Sequence, residues 1–203
     1  ESPVVIVTPV EAGTSDPASI RLKDITASGF SAIVAKPPKT AQGDHTMTVT
    51  FLAVAKGVHE VGGLWMESGT IATRKLQIGK KCSVGVSKSW QKISFTHPFT
   101  DTPAFLTSVQ TVNNENGLPS SSSQPFFAVT VNSVKTVEAW VSLEMAETSN
   151  YGGDQVDQDE VVGYIAIQKG SATLQDSTTG TEVKMAAAVS GTTVKGWSNG
   201  KYT

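Results

Sequence analysis

Between Asp154 and Glu160 the chain reads Asp-Gln-Val-Asp-Gln-Asp-Glu, so Asp154, Asp157, Asp159 and Glu160 gather four carboxylates in one loop. Calcium takes about 6–8 oxygen ligands, and closely spaced acids can supply several of them. The spacing is not that of an EF-hand, because the glycine that turns such a loop is missing. Two readings stand, a calcium site and a solvated acidic turn. Aromatic rings are the second kind of group able to act, since an exposed Trp or Tyr can stack on the face of a sugar. Trp65 follows Gly62-Gly63 and Tyr151 precedes Gly152-Gly153, contexts that favour exposure. The bland reading of both is a ring folded over the end of a sandwich. Trp140 stands in the opposite phase from Val137, Ala139, Val141 and Leu143, which turns its face outward, toward an interface or a ligand. Trp90 and Trp197 are read as core.

Other chemistry finds no support in the residues. His45, His59 and His97 are far apart and show no zinc-binding spacing. Cys82 is the single cysteine, which excludes an internal disulfide and a cysteine-rich metal site. There is no Gly-x-Ser-x-Gly elbow and no glycine-rich phosphate loop. Glu138, Glu144 and Glu147 are the nominees for a glycosidase-like carboxylate pair, yet nothing separates them from outward-facing strand residues. The chain is therefore expected not to be an enzyme. A net charge of −2 gives no basic footprint for nucleic acid. No apolar run approaches the roughly 18 residues of a membrane span. The first residues lack the basic and apolar regions of a signal peptide and enter a strand almost at once, as a processed protein or a fragment would.

The elements that must position these groups are strands. Charged residues make up 17% and apolar residues 38%, both below average for soluble domains, and Ser, Thr and Gly fill the difference. Such a mixture suits many short strands separated by turns, with no substantial helix. The expected strands are Val4–Val7, ending at Pro9, a hairpin of Ile20–Lys23 with Phe30–Ala35, and Met47–Ala55. Later come 105–112, 126–131, 137–145 and 161–168.

Several of these strands occur twice. Gly163-Tyr-Ile-Ala-Ile-Gln-Lys-Gly170 matches Thr50-Phe-Leu-Ala-Val-Ala-Lys-Gly57, an offset of 113 residues on the closing Lys-Gly. Pro103 matches Pro3 at an offset of 100, and Pro125 matches Pro17 at an offset of 108. The drift falls in loops, where insertions are tolerated. A third partial match sets Trp197-Ser-Asn-Gly-Lys-Tyr202 against Trp90-Gln-Lys-Ile-Ser-Phe95. The expectation is an all-β chain of two tandem antiparallel β-sandwich modules of about 100 residues, a size that can bury a core. The first module covers 1–88 and lacks its own Trp-bearing first strand. The second covers 89–203 and ends on a spare strand able to complete another module.

The order Trp90-x-x-Ile-x-Phe95, then His97-Pro-Phe99 with Pro103, then 126–131, then Gly163-Tyr-Ile-Ala-Ile167 resembles the H-type lectin domain and related bacterial surface repeats. The resemblance covers nearly all of 90–170 and, more loosely, 1–57. It implies a six-stranded antiparallel sandwich, often trimeric, that binds N-acetylgalactosamine or similar sugars at subunit interfaces. The family's sugar-contacting polar residues have no secure counterpart here, so the residues nominated for a ligand remain Trp65, Tyr151 and Trp140. The expected function is an extracellular or cell-surface repeat protein for adhesion and glycan recognition. The alternative is a structural subunit of a fibre, stalk or surface layer, in which the strand at 183–203 of one copy completes residues 1–57 of the next. The expected partners are thus a glycan or further copies of the chain, in a homo-oligomer or polymer.

Overall fold

The computed structural model describes residues 1–12, 19–35, 46–77, 89–114, 127–145 and 156–190. Within them the protein is all-β and contains no helix. The chain lays down β1 (Val4–Ala12), β2 (Ser19–Lys23), β3 (Ser31–Ala35) and β4 (Met47–Val54). It continues with β5 (Gly57–Val61), β6 (Leu64–Thr73), β7 (Leu76–Gln77) and β8 (Gln91–Ser94). β9 (Ala104–Val109), β10 (Phe127–Val134), β11 (Glu138–Met145) and β12 (Glu160–Ile167) follow, and β13 (Gly170–Gln175) and β14 (Glu182–Ala187) come last.

The period-two alternation of strands assigns the layers. One four-stranded antiparallel sheet runs β5-β6-β12-β9. A second is centred on β11, with β10 on one edge and β8 and β7 sharing the other, the short β7 contact being parallel. Val109, Val162, Tyr164 and Ala166 of the first sheet meet Ile93, Phe127, Ala139, Val141 and Leu143 of the second, and these form the sandwich core. Fully burying one such aliphatic side chain stabilises the fold by about 1.5–3 kcal/mol. The expected division between residues 88 and 89 falls inside this sandwich, since β6 and β7 lie before it and β8 to β12 after it.

β12 is buried on both faces. Its even-numbered residues from Val162 onward point into the sandwich, while Ile165 and Ile167 point the other way, into a second cluster with Val4, Met66 and Ala187. A third layer therefore covers the outside of the first sheet. It consists of β1 laddered to β4, and β13 laddered to β14. The β2–β3 hairpin, anticipated from its sequence, packs beside it with Phe30 edge-on to Phe51 at 5.1 Å.

β1 meets this sheet through a side chain rather than a ladder. The Gln110 amide accepts from the Val5 N–H at 3.0 Å and donates to the Val5 carbonyl at 2.7 Å, so it acts as a surrogate peptide group beyond the end of β9. A Cβ on Gly163 would lie 2.7 Å from Gln110 and 2.9 Å from Val4, and that close approach is why glycine occupies the position. Pro9 does not end β1 as expected. The strand continues to Ala12 through a register shift between Pro9 and Glu11, and a bulge is one of the places where a sheet tolerates proline.

Candidate functional site

The described acids of the 154–160 segment have different surroundings. Asp154 lies outside the described residues, as does Tyr151. Asp157 is exposed. Asp159 accepts from Arg74 Nε at 2.6 Å on the surface. Glu160 opens β12 and is fully buried. Its Oε2 accepts from the Thr111 hydroxyl at 2.5 Å and lies 3.7 Å from the Arg21 guanidinium, while Oε1 accepts from the Asn114 backbone and side-chain amides at 3.0 and 2.8 Å. Arg21, equally buried, also donates to the Thr111 carbonyl at 2.7 Å and lies over the Phe127 ring. This buried pair ties the β2–β3 hairpin to the end of the sandwich. Among the described residues no three His, Cys, Asp or Glu side chains gather as a metal-binding group.

Trp65 is placed in a strand rather than in a loop, on the sandwich-facing side of β6 at its open end. Its ring stacks on His97 at 4.2 Å and remains 36% exposed. Beneath the stack lies Glu67, a buried carboxylate that accepts from the His97 backbone N–H at 2.9 Å and from the Tyr164 hydroxyl at 3.2 Å. Burial, reinforced by the neighbouring Glu67 charge, pushes the Tyr164 hydroxyl well above its ordinary value and keeps it a hydrogen-bond donor. With both carboxylate oxygens engaged, Glu67 fixes the edge on which the Trp65–His97 pair rests.

Trp140 lies on the outer face of β11, as its phase requires. There it lines an open groove of about 430 Å³ together with Trp90, Asn132, Ser133, Lys135 and Glu138. The groove is cut by a bulge: Val131 pairs with Val141 but Ser133 pairs with Trp140, which leaves Asn132 as the extra residue in β10. Glu138 anchors the floor. Its carboxylate accepts from Lys92 at 2.9 Å, from Lys135 at 3.0 Å and from the Trp140 indole N–H at 3.3 Å. Hydrogen bonds from Lys92, then Lys135, then Trp140 hold it well below the usual carboxylate range, at about 2. Lys92 also sits 6.0 Å from the centre of the Trp140 ring. The arrangement offers two indoles, one acceptor that stays ionised at neutral and mildly acidic pH, and two ammonium groups with donors to spare.

Trp90 corrects the sequence reading, which placed it in the core. Ile93 and Phe95 face inward, so counting back by twos puts Trp90 in the outward phase with Lys92, where the structure finds it half-buried on the groove wall. That count was available in the sequence. The roles of Glu138, Lys92, Lys135 and Asn132 were not, because they depend on β8 and β10 flanking β11 and on where the bulge falls. His97 and Glu67 were missed for the same kind of reason, since only the fold of the turn at 97 over β6 joins them to Trp65. No protein family, curated protein or solved structure matches the chain.

Proposed function

We propose that the protein is a non-enzymatic, extracellular or cell-surface β-sandwich that recognises glycans, with the Trp90–Trp140 groove as its binding surface. The observation that carries this reading is the pairing of two indoles in one open groove with a carboxylate held ionised beside them. Saccharide rings present apolar C–H faces that stack on indole, and hydroxyls that donate to a carboxylate and accept from ammonium groups. The likeness of 90–170 to H-type lectins points to the same ligand class. A glycan array run with and without calcium, followed by titration of the best hit, tests the proposal. Trp140→Ala is expected to weaken binding about tenfold or more, the effect of removing about 1.4 kcal/mol or more of contact. An array without hits, or a hit indifferent to Trp140→Ala, refutes it.

The second reading, a fibre, stalk or surface-layer subunit joined by strand exchange, is favoured by one observation. β4 carries a ladder with β1 on one edge and with no described strand on the other. A mass that grows with protein concentration supports that reading, and a constant mass of one chain refutes it.

A further inference from the structure

We propose that β14 is the strand built to fill the edge of β4 on which no described strand lies, and that it does so within one chain, converting the outer layer into a continuous β1-β4-β14-β13 sheet. The template is the sheet already formed. There β12 lies between β9 and β6, and β6 is the second strand of the hairpin that begins at Gly57, three residues past the end of β4. The hairpin β13–β14 begins at Gly170, three residues past the end of β12. Both glycines have positive φ, 124° and 149°, a backbone state that other residues rarely adopt, so the chain leaves β4 and β12 in the same way. The hairpin that follows β4 supplies a strand to β12. By the same pattern the hairpin that follows β12 supplies one to β4.

The packing agrees. Met185 and Ala187 of β14 already belong to the cluster that contains Val4, Ile6 and Val54, opposite Met66, Ile165 and Ile167. β14 thus lies in the same layer as β1 and β4 and turns the same face to the first sheet. Its other face, Lys184 and Ala186, is exposed, as are Phe51 and Leu52 of β4 and Val189 just beyond β14. The register follows by transposition. Gly57 pairs with Ser68 and Gly170 with Ala187, so Ala187 takes the place of Ser68. The pairs Ile165↔Ser68, Ala166↔Glu67 and Ile167↔Met66 become Leu52↔Ala187, Ala53↔Ala186 and Val54↔Met185. Phe51 then faces Ala188, as Tyr164 faces Gly69, a large ring set against a small residue in both cases. Closure removes an exposed strand edge of the kind that recruits other chains.

The test is a pair of cysteines, Ala53→Cys with Ala186→Cys, in full-length protein carrying Cys82→Ser, oxidised in dilute solution. Cross-strand neighbours lie close enough for a disulfide. The expected product is a single chain with no free thiol, formed faster than from the out-of-register pair Ala53→Cys with Lys184→Cys. Disulfide-linked dimers and larger species as the main product would overturn the proposal in favour of exchange between copies. Two free thiols would overturn it outright. Amide hydrogen exchange on the unmodified chain provides a test that does not depend on the variants folding: protection at every amide of residues 49–54 supports closure, and fast exchange at alternate amides shows an open edge.

Discussion

β12 and β4 share an order of aromatic, aliphatic, alanine and aliphatic residues and leave by the same glycine turn, yet their surroundings differ. Tyr164 is 8% exposed and Ile165 is fully buried, whereas Phe51 and Leu52 at the matching positions are 61% and 41% exposed. The local sequence is enough to specify a strand, a face and an exit in both places. It does not specify how many neighbours the strand acquires, which is decided by β6, β9 and the layer above. The comparison separates what a strand owes to its own residues from what it owes to its position in a sheet.

The largest expected effect lies where that difference is greatest. Ile165→Ala removes a fully buried side chain from a site flanked on both edges and covered above, and is expected to cost about 2–5 kcal/mol. Leu52→Ala is expected to cost no more than about 1 kcal/mol, as for a partly exposed position. Denaturant melts of the two variants measure both, and equal losses would erase the contrast. Gly163 gives the next test. Its partner position in β4 is Thr50, which carries a branched side chain without obstruction, while Gly163 sits against Gln110 and Val4. Gly163→Ala is expected to cost about 1–3 kcal/mol through overpacking and to increase amide exchange at Val5, because the added methyl displaces the Gln110 amide. An unchanged exchange rate at Val5 would show that β1 is held by other means. Tyr164→Phe then makes β12 more like β4. It removes the hydroxyl donated to the buried Glu67 carboxylate, and an expected loss of about 1–3 kcal/mol is read from the same melts.

Most of the strand inventory was legible because strand formers announce themselves in short β-branched and aromatic runs between turn residues. What misled was phase and partner choice. Pro9 reads as a strand end until a bulge is known to accommodate it. The acidic segment reads as a surface loop, although Glu160 lies two residues before Val162 in the inward phase of β12, which already placed its carboxylate inside. Its partner Arg21 is far away in the chain, and no local pattern joins the two. Trp65 follows a Gly-Gly turn and so reads as loop, yet that turn is the start of β6. The candidate groove was the least legible part. Its residues come from the lead-in to β8 and from β10 and β11, and become neighbours only through the order of the second sheet.

The smallest expected effect concerns that groove. Glu138 sets the pH range over which the groove stays intact. Its carboxylate is depressed in the folded protein to about 2, chiefly by Lys92. The contribution of its ion pairs is therefore fully present above the ordinary carboxylate range and is lost progressively as pH falls from that range through about 2. Glycan affinity is accordingly expected to hold constant from neutral to mildly acidic pH. A carbon-detected NMR titration of Glu138 should show a midpoint near 2. Lys92→Gln should move that midpoint up toward the ordinary carboxylate value, and Lys135→Gln should move it up by less. A midpoint already at the ordinary value in the unmodified protein would mean that the two lysines do not hold the acid. The groove would then offer a sugar a carboxylate that titrates with the solvent, and binding would weaken at mildly acidic pH.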